Sequence, residues 1–434
     1  MKSQVAVLLA LLLSITAIHG AQAPIATQTQ GVFVPQRIAR LDALLQRYVD
    51  EGHMAGAVAL VLHDGRPAYE HVVGWSDKEA GRRMTADTIF RIASQTKAIT
   101  SVAILSLVEE GRLALEDPVS RYIPAFAHTT VAVEGEDGRA SIVPAVHPIT
   151  IRHLLTHTSG ISYGTGRNVA AMYEAKGLGP AAGFGWYLAD KDESICDTMA
   201  TLATLPFAAQ PGEDWVYGYS SDVLGCLVER ASGMPLDRFI ETRITGPLGM
   251  RDTHFFLPER DRARLAAVYT IGDSGTIVRA PDGGRGQGDY VSGPRRDLSG
   301  GAGLLSTARD YARFLEMIRR GGEIDGVRIL SPRTVALMRT DQVGDLYPQP
   351  GLGFGMGFEV VEQYGGKDLA SVGAYGWGGA YGTEYRIDPD AHLVMVFMQQ
   401  LVPNTTDIGR KFPTLVYQAL TPVATSRQPP AASF

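Results

Sequence analysis

Segments with the character of β-strands lie near both ends of the chain, and segments with helical spacing lie between them. Residues 57–62 and 68–73 are predicted to form a hairpin, because two apolar runs flank a turn that contains Asp-Gly. Residues 384–387 and 393–399 flank a second turn, Asp-Pro-Asp. Strands that are far apart in the sequence can pair in one sheet, and helices that pack on this sheet bury its apolar faces. We therefore predict an α/β fold with one antiparallel sheet built from both chain ends and a mainly helical lobe inserted between them.

Apolar residues at intervals of three and four indicate the helices. The predicted helices cover residues 35–49, 94–110, 223–231, 236–244, 311–318 and 408–420. The α/β lobe is then expected at about 36–93 and 300–422, and the helical lobe at about 94–299. Because both ends share the sheet, residues 24–434 are predicted to form a single domain.

The N-terminus has the composition of an export signal. Met1-Lys2 precedes an apolar run from Val5 to Ile18, which is too short to cross a bilayer comfortably, and small residues follow at positions 20–23. Residues 1–23 are therefore predicted to be a signal peptide of a periplasmic or secreted protein, with an uncleaved anchor as the alternative. No other run approaches a membrane span, so no stable membrane insertion is expected after cleavage.

The charge balance argues against one class of partner. A net charge of −6 and an isoelectric point near 6.0 are not typical of a polyanion-binding protein. Nucleic acid is therefore not expected as a partner. The fraction of charged residues, 20%, is that of an ordinary globular protein.

The first candidate for chemistry is Ser94-Gln95-Thr96-Lys97. Serine and lysine three residues apart share one face of a helix, which places an amine beside a hydroxyl that it can deprotonate. With 22 serines and 7 lysines, about a third of one such match is expected by chance, and the sequence contains one. Taken alone, the motif also fits a serine N-cap followed by a surface lysine.

Two other pairs have the spacing or the chemistry of functional sites. His153 and His157 are four residues apart, but no glutamate follows His153 and no third ligand is evident, so both are predicted to be packed and hydrogen-bonded rather than metal ligands. Cys196 and Cys226 can be oxidised in an exported protein. Cys226 lies in an apolar periodic stretch and is predicted to be a small buried hydrophobic residue, with a disulfide as the less favoured interpretation.

Residues 161–210 are rich in glycine and alanine, with scattered aromatic residues. This composition favours a mobile insertion that covers a cleft. Its aromatic residues include Tyr163, Tyr173, Phe184, Trp186 and Tyr187.

Several stretches together resemble the penicillin-recognising serine hydrolases, which include class C β-lactamases, D-alanyl-D-alanine peptidases and the family VIII carboxylesterases. The resemblance runs from about Leu41 to Leu420. It rests on Phe90–Lys97, Ile149–Gly160, Pro211–Gly233, Pro247-Leu248-Gly249-Met250, Gly300–Asp310 and Trp377–Asp388. The similarity implies a β-lactamase-like fold and makes the serine–lysine motif a strong candidate.

The resemblance also implies roles for individual residues. Ser94 is the acylated nucleophile and Lys97 its partner base. The run from Trp215 to Gly225 matches the esterase branch and makes Tyr217 the catalytic tyrosine, with Tyr219 as the alternative. The asparagine that lactamases have after this tyrosine is absent.

The last motif follows the esterase branch as well. Lactamases and peptidases have Lys-Thr-Gly on an edge strand, whereas Trp377-Gly378-Gly379 stands at the corresponding place here. An indole thus replaces an ammonium that would bind a substrate carboxylate, although Trp377 can also be an aromatic residue that packs on the sheet. The glycines let the backbone approach the substrate. The N–H groups of Ser94 and Ala380 are implied to form the oxyanion hole.

These residues imply an exported carboxylesterase that hydrolyses short-chain esters through an acyl-enzyme at Ser94, with Lys97 and Tyr217 as acid and base. A small-molecule ester or amide is the expected partner, and neither a metal nor an organic cofactor is required. The alternatives are a β-lactamase and a D-amino-acid peptidase or amidase. A binding module that senses cell-wall fragments without turnover is disfavoured by the intact serine, lysine and tyrosine.

Overall fold

The computed structural model describes residues 31–135, 140–166, 169–179 and 186–422. The predicted signal peptide, Phe184 and the C-terminal tail lie outside the described residues. The described α-helices are α1 (Pro35–Asp50), α2 (Thr96–Glu109), α3 (Ile151–Leu155), α4 (Ala170–Ala175), α5 (Ile195–Leu202), α6 (Ser220–Ser232), α7 (Leu236–Ile240), α8 (Gly246–Leu248), α9 (Ala308–Arg319), α10 (Pro332–Met338) and α11 (Ile408–Ala419). A turn of π-helix, Glu241–Thr245, joins α7 to α8.

The strands come mostly from the two ends of the chain. They are β1 (Gly56–His63), β2 (Arg66–Asp77), β3 (Arg82–Arg83), β4 (Phe90–Arg91), β5 (Thr130–Glu134), β6 (Ala140–Pro144), β7 (Pro206–Phe207), β8 (Tyr269–Ile271), β9 (Ile277–Arg279), β10 (Leu305–Ser306), β11 (Glu323–Ile324), β12 (Val327–Arg328), β13 (Leu352–Phe354), β14 (Glu359–Val361), β15 (Tyr375–Gly379), β16 (Thr383–Asp388) and β17 (Leu393–Met398).

The largest sheet confirms the predicted architecture. Its eight antiparallel strands lie in the order β13-β14-β15-β16-β17-β1-β2-β3, so that strands from opposite ends of the chain meet at its centre. There β1 pairs with β17, with Val58 opposite Met398 and His63 opposite Leu393. The predicted hairpin of β1 and β2 is also present, and its turn places Asp64 and Gly65 at φ 49° and 75°.

The two faces of this sheet bury different cores. Side chains along a strand point alternately to opposite faces. Val58, Leu60 and Val396 pack in the same core as α2 and α9, whereas Ala59 and Phe397 pack against α1 and α11. The sheet is therefore covered by helices on both sides.

Two expectations for the middle of the chain are wrong. The described part of residues 161–210 is largely packed rather than loose: Tyr163, Tyr173 and Tyr187 are at most 8% exposed. Cys196 and Cys226 form a disulfide that links α5 to α6. Apolar spacing correctly indicated that Cys226 is buried, but it carries no information about the packing of α5 against α6, which brings the two cysteines together.

None of the helices in the described ranges combines the length and the apolar composition needed to cross a bilayer.

Candidate active site

Ser94 lies at a strained junction between strand β4 and helix α2. A single 3-10 turn, Ala93–Gln95, precedes the first residue of α2, so that the α-helix begins two residues later than predicted. Ala93 has φ 42°, in the left-handed region that costs a residue with a side chain about 1–3 kcal/mol. The N–H of Ile92 donates to the carbonyl of Leu304 at 3.1 Å and helps to hold this conformation. The half-buried Ser94 side chain is thus fixed by the backbone that carries it.

Lys97 is buried beside this serine and donates three hydrogen bonds. Its Nζ lies 3.2 Å from Ser94 Oγ, 3.0 Å from the hydroxyl of Tyr163 and 2.9 Å from the carbonyl oxygen of Gly301. Only 2% of the lysine is exposed. A buried ammonium requires such partners, because the loss of its hydration is otherwise uncompensated. The structure therefore rules out the alternative of a surface lysine.

Tyr217 lies on the other side of the amine. Lys97 Nζ is 4.6 Å from the centroid of the Tyr217 ring, which is within the range of a cation–π interaction. The Tyr217 hydroxyl accepts a hydrogen bond from Trp377 Nε1 at 3.0 Å. The fold therefore brings together the four predicted residues Ser94, Lys97, Tyr217 and Trp377. It differs from the prediction in one respect: Lys97 faces the ring of Tyr217 and donates a hydrogen bond to the hydroxyl of another tyrosine.

The alternative tyrosine, Tyr219, is directed elsewhere. It is fully buried, and its hydroxyl accepts a hydrogen bond from the backbone N–H of Gly179 at 3.3 Å. Burial is the main cause that raises the pKa of Tyr219. This geometry favours Tyr217 over Tyr219 as the tyrosine next to the reacting atoms.

Tyr163 is a residue of the site that the sequence reasoning missed. Its hydroxyl accepts from Lys97, and its ring packs edge-on against Tyr217 with centroids 5.7 Å apart. Burial, with smaller contributions from Tyr217 and Asp222, raises the pKa of Tyr163 well above its usual value. The residue is thus a neutral phenol at neutral pH. The sequence signal that could have identified Tyr163 is its position just after Ile149–Gly160, one of the stretches that carry the family resemblance.

Asp222 was also missed, although it lies in the run that identified Tyr217. It is 1% exposed and accepts hydrogen bonds from Ser299 Oγ and, at 3.0 Å, from the N–H of Gly301. Burial raises the pKa of this carboxyl, while the Ser299 hydrogen bond and the Lys97 charge oppose the increase. Because the carbonyl of Gly301 accepts from Lys97, Asp222 fixes a backbone segment that positions the amine.

Strand β15 brings Trp377, Gly378 and Gly379 to the same cleft. The strand is an inner member of the sheet rather than the expected edge strand, but its pairing with β14 ends at Gly376. The second half of β15 is therefore unpaired on that side and lies against the 3-10 turn of Ser94. A Cβ added to Gly379 would clash with the carbonyl oxygen of Ile92, so this approach requires glycine. Ala380 follows directly, and its role in an oxyanion hole stays a prediction.

The two histidines have separate structural surroundings. His153 Nδ1 accepts from the N–H of Thr150 at 3.3 Å in an N-terminal capping box of α3. His157 follows the helix with φ 57° and is buried, with its ring 4.8 Å from that of Tyr217. Helix α3 ends at Leu155. Burial, and then the Lys97 charge, lower the pKa of His157 well below its ordinary value, so the ring is neutral.

Among the described residues, no group of three or more histidine, cysteine, aspartate or glutamate side chains is arranged to hold a metal ion.

Residues 41–416 match the sequence family described as Beta-lactamase. The chain belongs to the beta-lactamase family. Protein Rv1367c of Mycobacterium tuberculosis is 35% identical over 382 residues, which are 83% of this chain and 90% of that protein. Esterase EstB of Burkholderia gladioli is 34% identical over 393 residues, 87% of this chain and 93% of EstB. The family places the chain among the penicillin-recognising serine hydrolases, near the family VIII carboxylesterases.

A solved structure of this beta-lactamase family extends the similarity to three dimensions. EstCE1, described as a hydrolase with promiscuous acyltransferase activity, superposes with a TM-score of 0.74 and 30% identity, covering 90% of this chain and 99% of EstCE1. The chain is therefore a serine hydrolase with a beta-lactamase-like fold.

Proposed function

We propose that this hydrolase is an exported carboxylesterase that cleaves short-chain esters through an acyl-enzyme at Ser94. The observation that carries the proposal is the cleft itself, in which Ser94 Oγ faces Lys97 Nζ at 3.2 Å and the neutral indole of Trp377 stands where lactamases carry a lysine. Similarity to Esterase EstB supports the esterase class. The predicted signal peptide and the disulfide support export, because disulfides persist in oxidising compartments.

The proposed reaction begins with transfer of the Ser94 proton to the Lys97–Tyr217 pair. Ser94 Oγ attacks the ester carbonyl, and the backbone N–H groups of Ser94 and Ala380 stabilise the oxyanion. The pair then protonates the leaving alcohol, which leaves an acyl-enzyme that water cleaves by the reverse proton transfers. Tyr163, held as a neutral phenol, orients the amine of Lys97 without competing for the proton.

The cleft favours a neutral ester over a β-lactam. A β-lactam carries a carboxylate and a side-chain amide, and Gly378 and Gly379 beside Trp377 offer no side-chain charge or amide to bind them. Polar groups that lose water without gaining a partner cost about 1–3 kcal/mol each, which corresponds to about tenfold to a hundredfold in kcat/KM. A short-chain ester has neither group and loses nothing at these positions.

Acyl transfer to an alcohol is a second candidate activity. EstCE1 is described as having promiscuous acyltransferase activity, and an acyl-enzyme formed at Ser94 can be attacked by an alcohol in place of water. The alternatives of a β-lactamase and a D-amino-acid peptidase or amidase are disfavoured, because Trp377 stands in place of the carboxylate-binding lysine and no asparagine follows Tyr217 in its motif. A binding module without turnover is disfavoured by the close contact of Ser94 and Lys97.

Hydrolysis of p-nitrophenyl butyrate and of nitrocefin by the same preparation tests the proposal. We expect kcat/KM for the ester to exceed that for nitrocefin by at least about a hundredfold. Nitrocefin turnover equal to or faster than ester turnover would contradict it. A fluorophosphonate probe supplies the control, because it should label the wild type and leave Ser94→Ala unlabelled, whereas a pure binding module should not react in either form.

A further inference from the structure

A shallow groove with cationic walls runs between α1 and α11, on the outer surface of the sheet. Its volume is about 590 Å³, and Arg40, Arg47, Arg410 and Lys411 line it. These four cations, which we call the basic groove, are all exposed. The floor contains apolar side chains, among them Leu415. Arg40 and Arg47 are seven residues apart and so lie along one side of α1.

Most of this charge has no counterion within the protein. Lys411 pairs with Asp407 at 2.8 Å, but no carboxylate in the described chain lies within ion-pair distance of Arg40, Arg47 or Arg410. Arg40 donates only to the amide oxygen of Gln418, at 3.2 Å. The concentration of unpaired cations is unexpected in a chain whose net charge is −6.

The two acidic residues of α1 form hydrogen bonds with side chains other than the four cations of the basic groove. Asp42 accepts a hydrogen bond from the hydroxyl of Tyr69 at 2.8 Å and lies 3.3 Å from His71 on strand β2. Asp50 accepts from Gln46 at 2.8 Å. With Asp407 as the carboxylate beside Lys411, the face that the two helices present is predominantly cationic. At physiological salt, charges screen one another beyond about 8 Å, so this face acts locally despite the acidic remainder of the protein.

We propose that the basic groove is a docking surface for anionic phospholipid headgroups. Guanidinium groups match phosphate oxygens in charge and geometry, and a row of them along two neighbouring helices fits a charged plane rather than a single small anion. The apolar floor fits the boundary between headgroups and acyl chains. The proposal uses the predicted export, which brings the protein to a membrane surface, and is independent of which ester the enzyme cleaves.

Docking on this side leaves the catalytic cleft free. Helices α1 and α11 cover the face of the sheet that Ala59 and Phe397 line, whereas α2, which follows Ser94, packs on the opposite face. The protein would therefore associate with a lipid surface electrostatically, without inserting a helix and with its active site directed away from the surface.

Vesicle binding tests the proposal with matched charge variants of the whole protein. The probes are vesicles of phosphatidylcholine with about 30% phosphatidylglycerol, compared with phosphatidylcholine alone. The wild type should bind the anionic vesicles selectively, and added salt should release it. A variant with Arg40→Gln, Arg47→Gln and Arg410→Gln should bind about a hundredfold more weakly, at about fivefold for each arginine.

The control variant carries the same loss of charge elsewhere. It combines three substitutions of exposed arginines that do not line the basic groove, Arg112→Gln, Arg333→Gln and Arg339→Gln. Vesicle binding by this variant should stay within about threefold of wild type. Equal losses in both triple variants, or no preference of the wild type for anionic vesicles, would overturn the proposal. If sedimentation velocity instead shows that only the basic-groove variant loses a dimer, the surface is an interface between two copies and the lipid assignment fails. Ester hydrolysis by both variants should equal that of the wild type.

Discussion

The two faces of the central sheet use positive charge in opposite ways. On the face of α2, the cation Lys97 is buried, and its partners are a carbonyl, two hydroxyls and an aromatic ring. On the face of α1 and α11, the four cations of the basic groove are exposed, and among the described residues only Lys411 has a carboxylate partner. A buried charge acts strongly because its few partners are fixed and water is excluded. A single exposed charge contributes little binding energy by itself, so binding at the outer face depends on how many cations act together.

This contrast predicts different responses to single substitutions. One substitution on the catalytic face should greatly reduce ester hydrolysis. On the outer face, only combined substitutions of several cations should have a large effect on vesicle binding.

The largest effect is expected for Lys97→Ala, compared with Lys411→Ala on the other face. Removal of the buried amine takes away the proposed base of Ser94, so kcat/KM for p-nitrophenyl butyrate should fall by at least about a thousandfold. Lys411 contacts only Asp407 and Tyr48, and its removal should change kcat/KM by less than about twofold.

Loss of folding has to be separated from loss of the base in this comparison. Lys97→Met keeps most of the side-chain volume and serves as a second variant, with circular dichroism and Tm measured for each. If folded Lys97→Ala or Lys97→Met were phosphonylated by the fluorophosphonate probe at the wild-type rate, the base would have to be a different residue.

The next largest effect is expected among the tyrosines. Tyr217→Phe should lower kcat by about a hundredfold or more, since it removes a hydroxyl proposed to transfer protons. Tyr163→Phe should cost about tenfold, because it removes one hydrogen bond to the ammonium but no proposed proton transfer. Tyr219→Phe should leave kcat within about threefold, because its hydroxyl contacts the backbone of Gly179.

Steady-state kinetics of the three tyrosine variants on one ester will give their order. A larger loss in Tyr163→Phe than in Tyr217→Phe would transfer the acid–base role to Tyr163.

The smallest effect concerns stability and pH. Asp297 lies behind the catalytic face, accepts a hydrogen bond from Thr198 and is 2% exposed. Burial raises its pKa to about 8. The native carboxyl thus keeps a proton that the unfolded chain loses near pH 4, so its contribution to stability is complete below that pH and is lost as the pH rises to about 8. Asp297→Asn cannot titrate, and its Tm should therefore fall less than that of the wild type between pH 5 and 8, by a few degrees.

Asp407 on the outer face provides the matched control for this pH profile. Its hydrogen bonds with Lys411 and then Tyr48 lower its pKa, so its contribution is lost only as the pH falls into the acid range. Asp407→Asn should leave the slope of Tm between pH 5 and 8 unchanged. A thermal melt series in which Asp297→Asn follows the wild-type slope would show that Asp297 is not protonated in the native state.

Local patterns were enough to predict much of this fold. Apolar spacing located α1, α6, α9 and α11 to within a few residues, because each helix buries a continuous stripe. Ser94 and Lys97 could be paired from sequence because they are separated by one turn. Tyr217 and Trp377 are distant from that turn, and only the family resemblance connected them with it.

The remaining features depend on contacts that local patterns do not encode. Tyr163 has glycines at positions 160, 164 and 166 around it and thus the sequence context of a loop, but the fold places its hydroxyl against Lys97. Asp222 acts through Gly301, which is 79 residues away. The disulfide likewise requires α5 to pack on α6, which a pair of cysteines separated by 30 residues does not reveal.

The pairing at the centre of the sheet has a consequence for biosynthesis. Strand β1 is translated early, but its partner β17 emerges roughly 330 residues later, so the middle of the sheet cannot form while the chain is still being made. The two apolar faces of β1 then stay exposed until translation is almost complete. Under the proposed export, this delay is useful, because a chain that is still unfolded can pass through a narrow translocation pore.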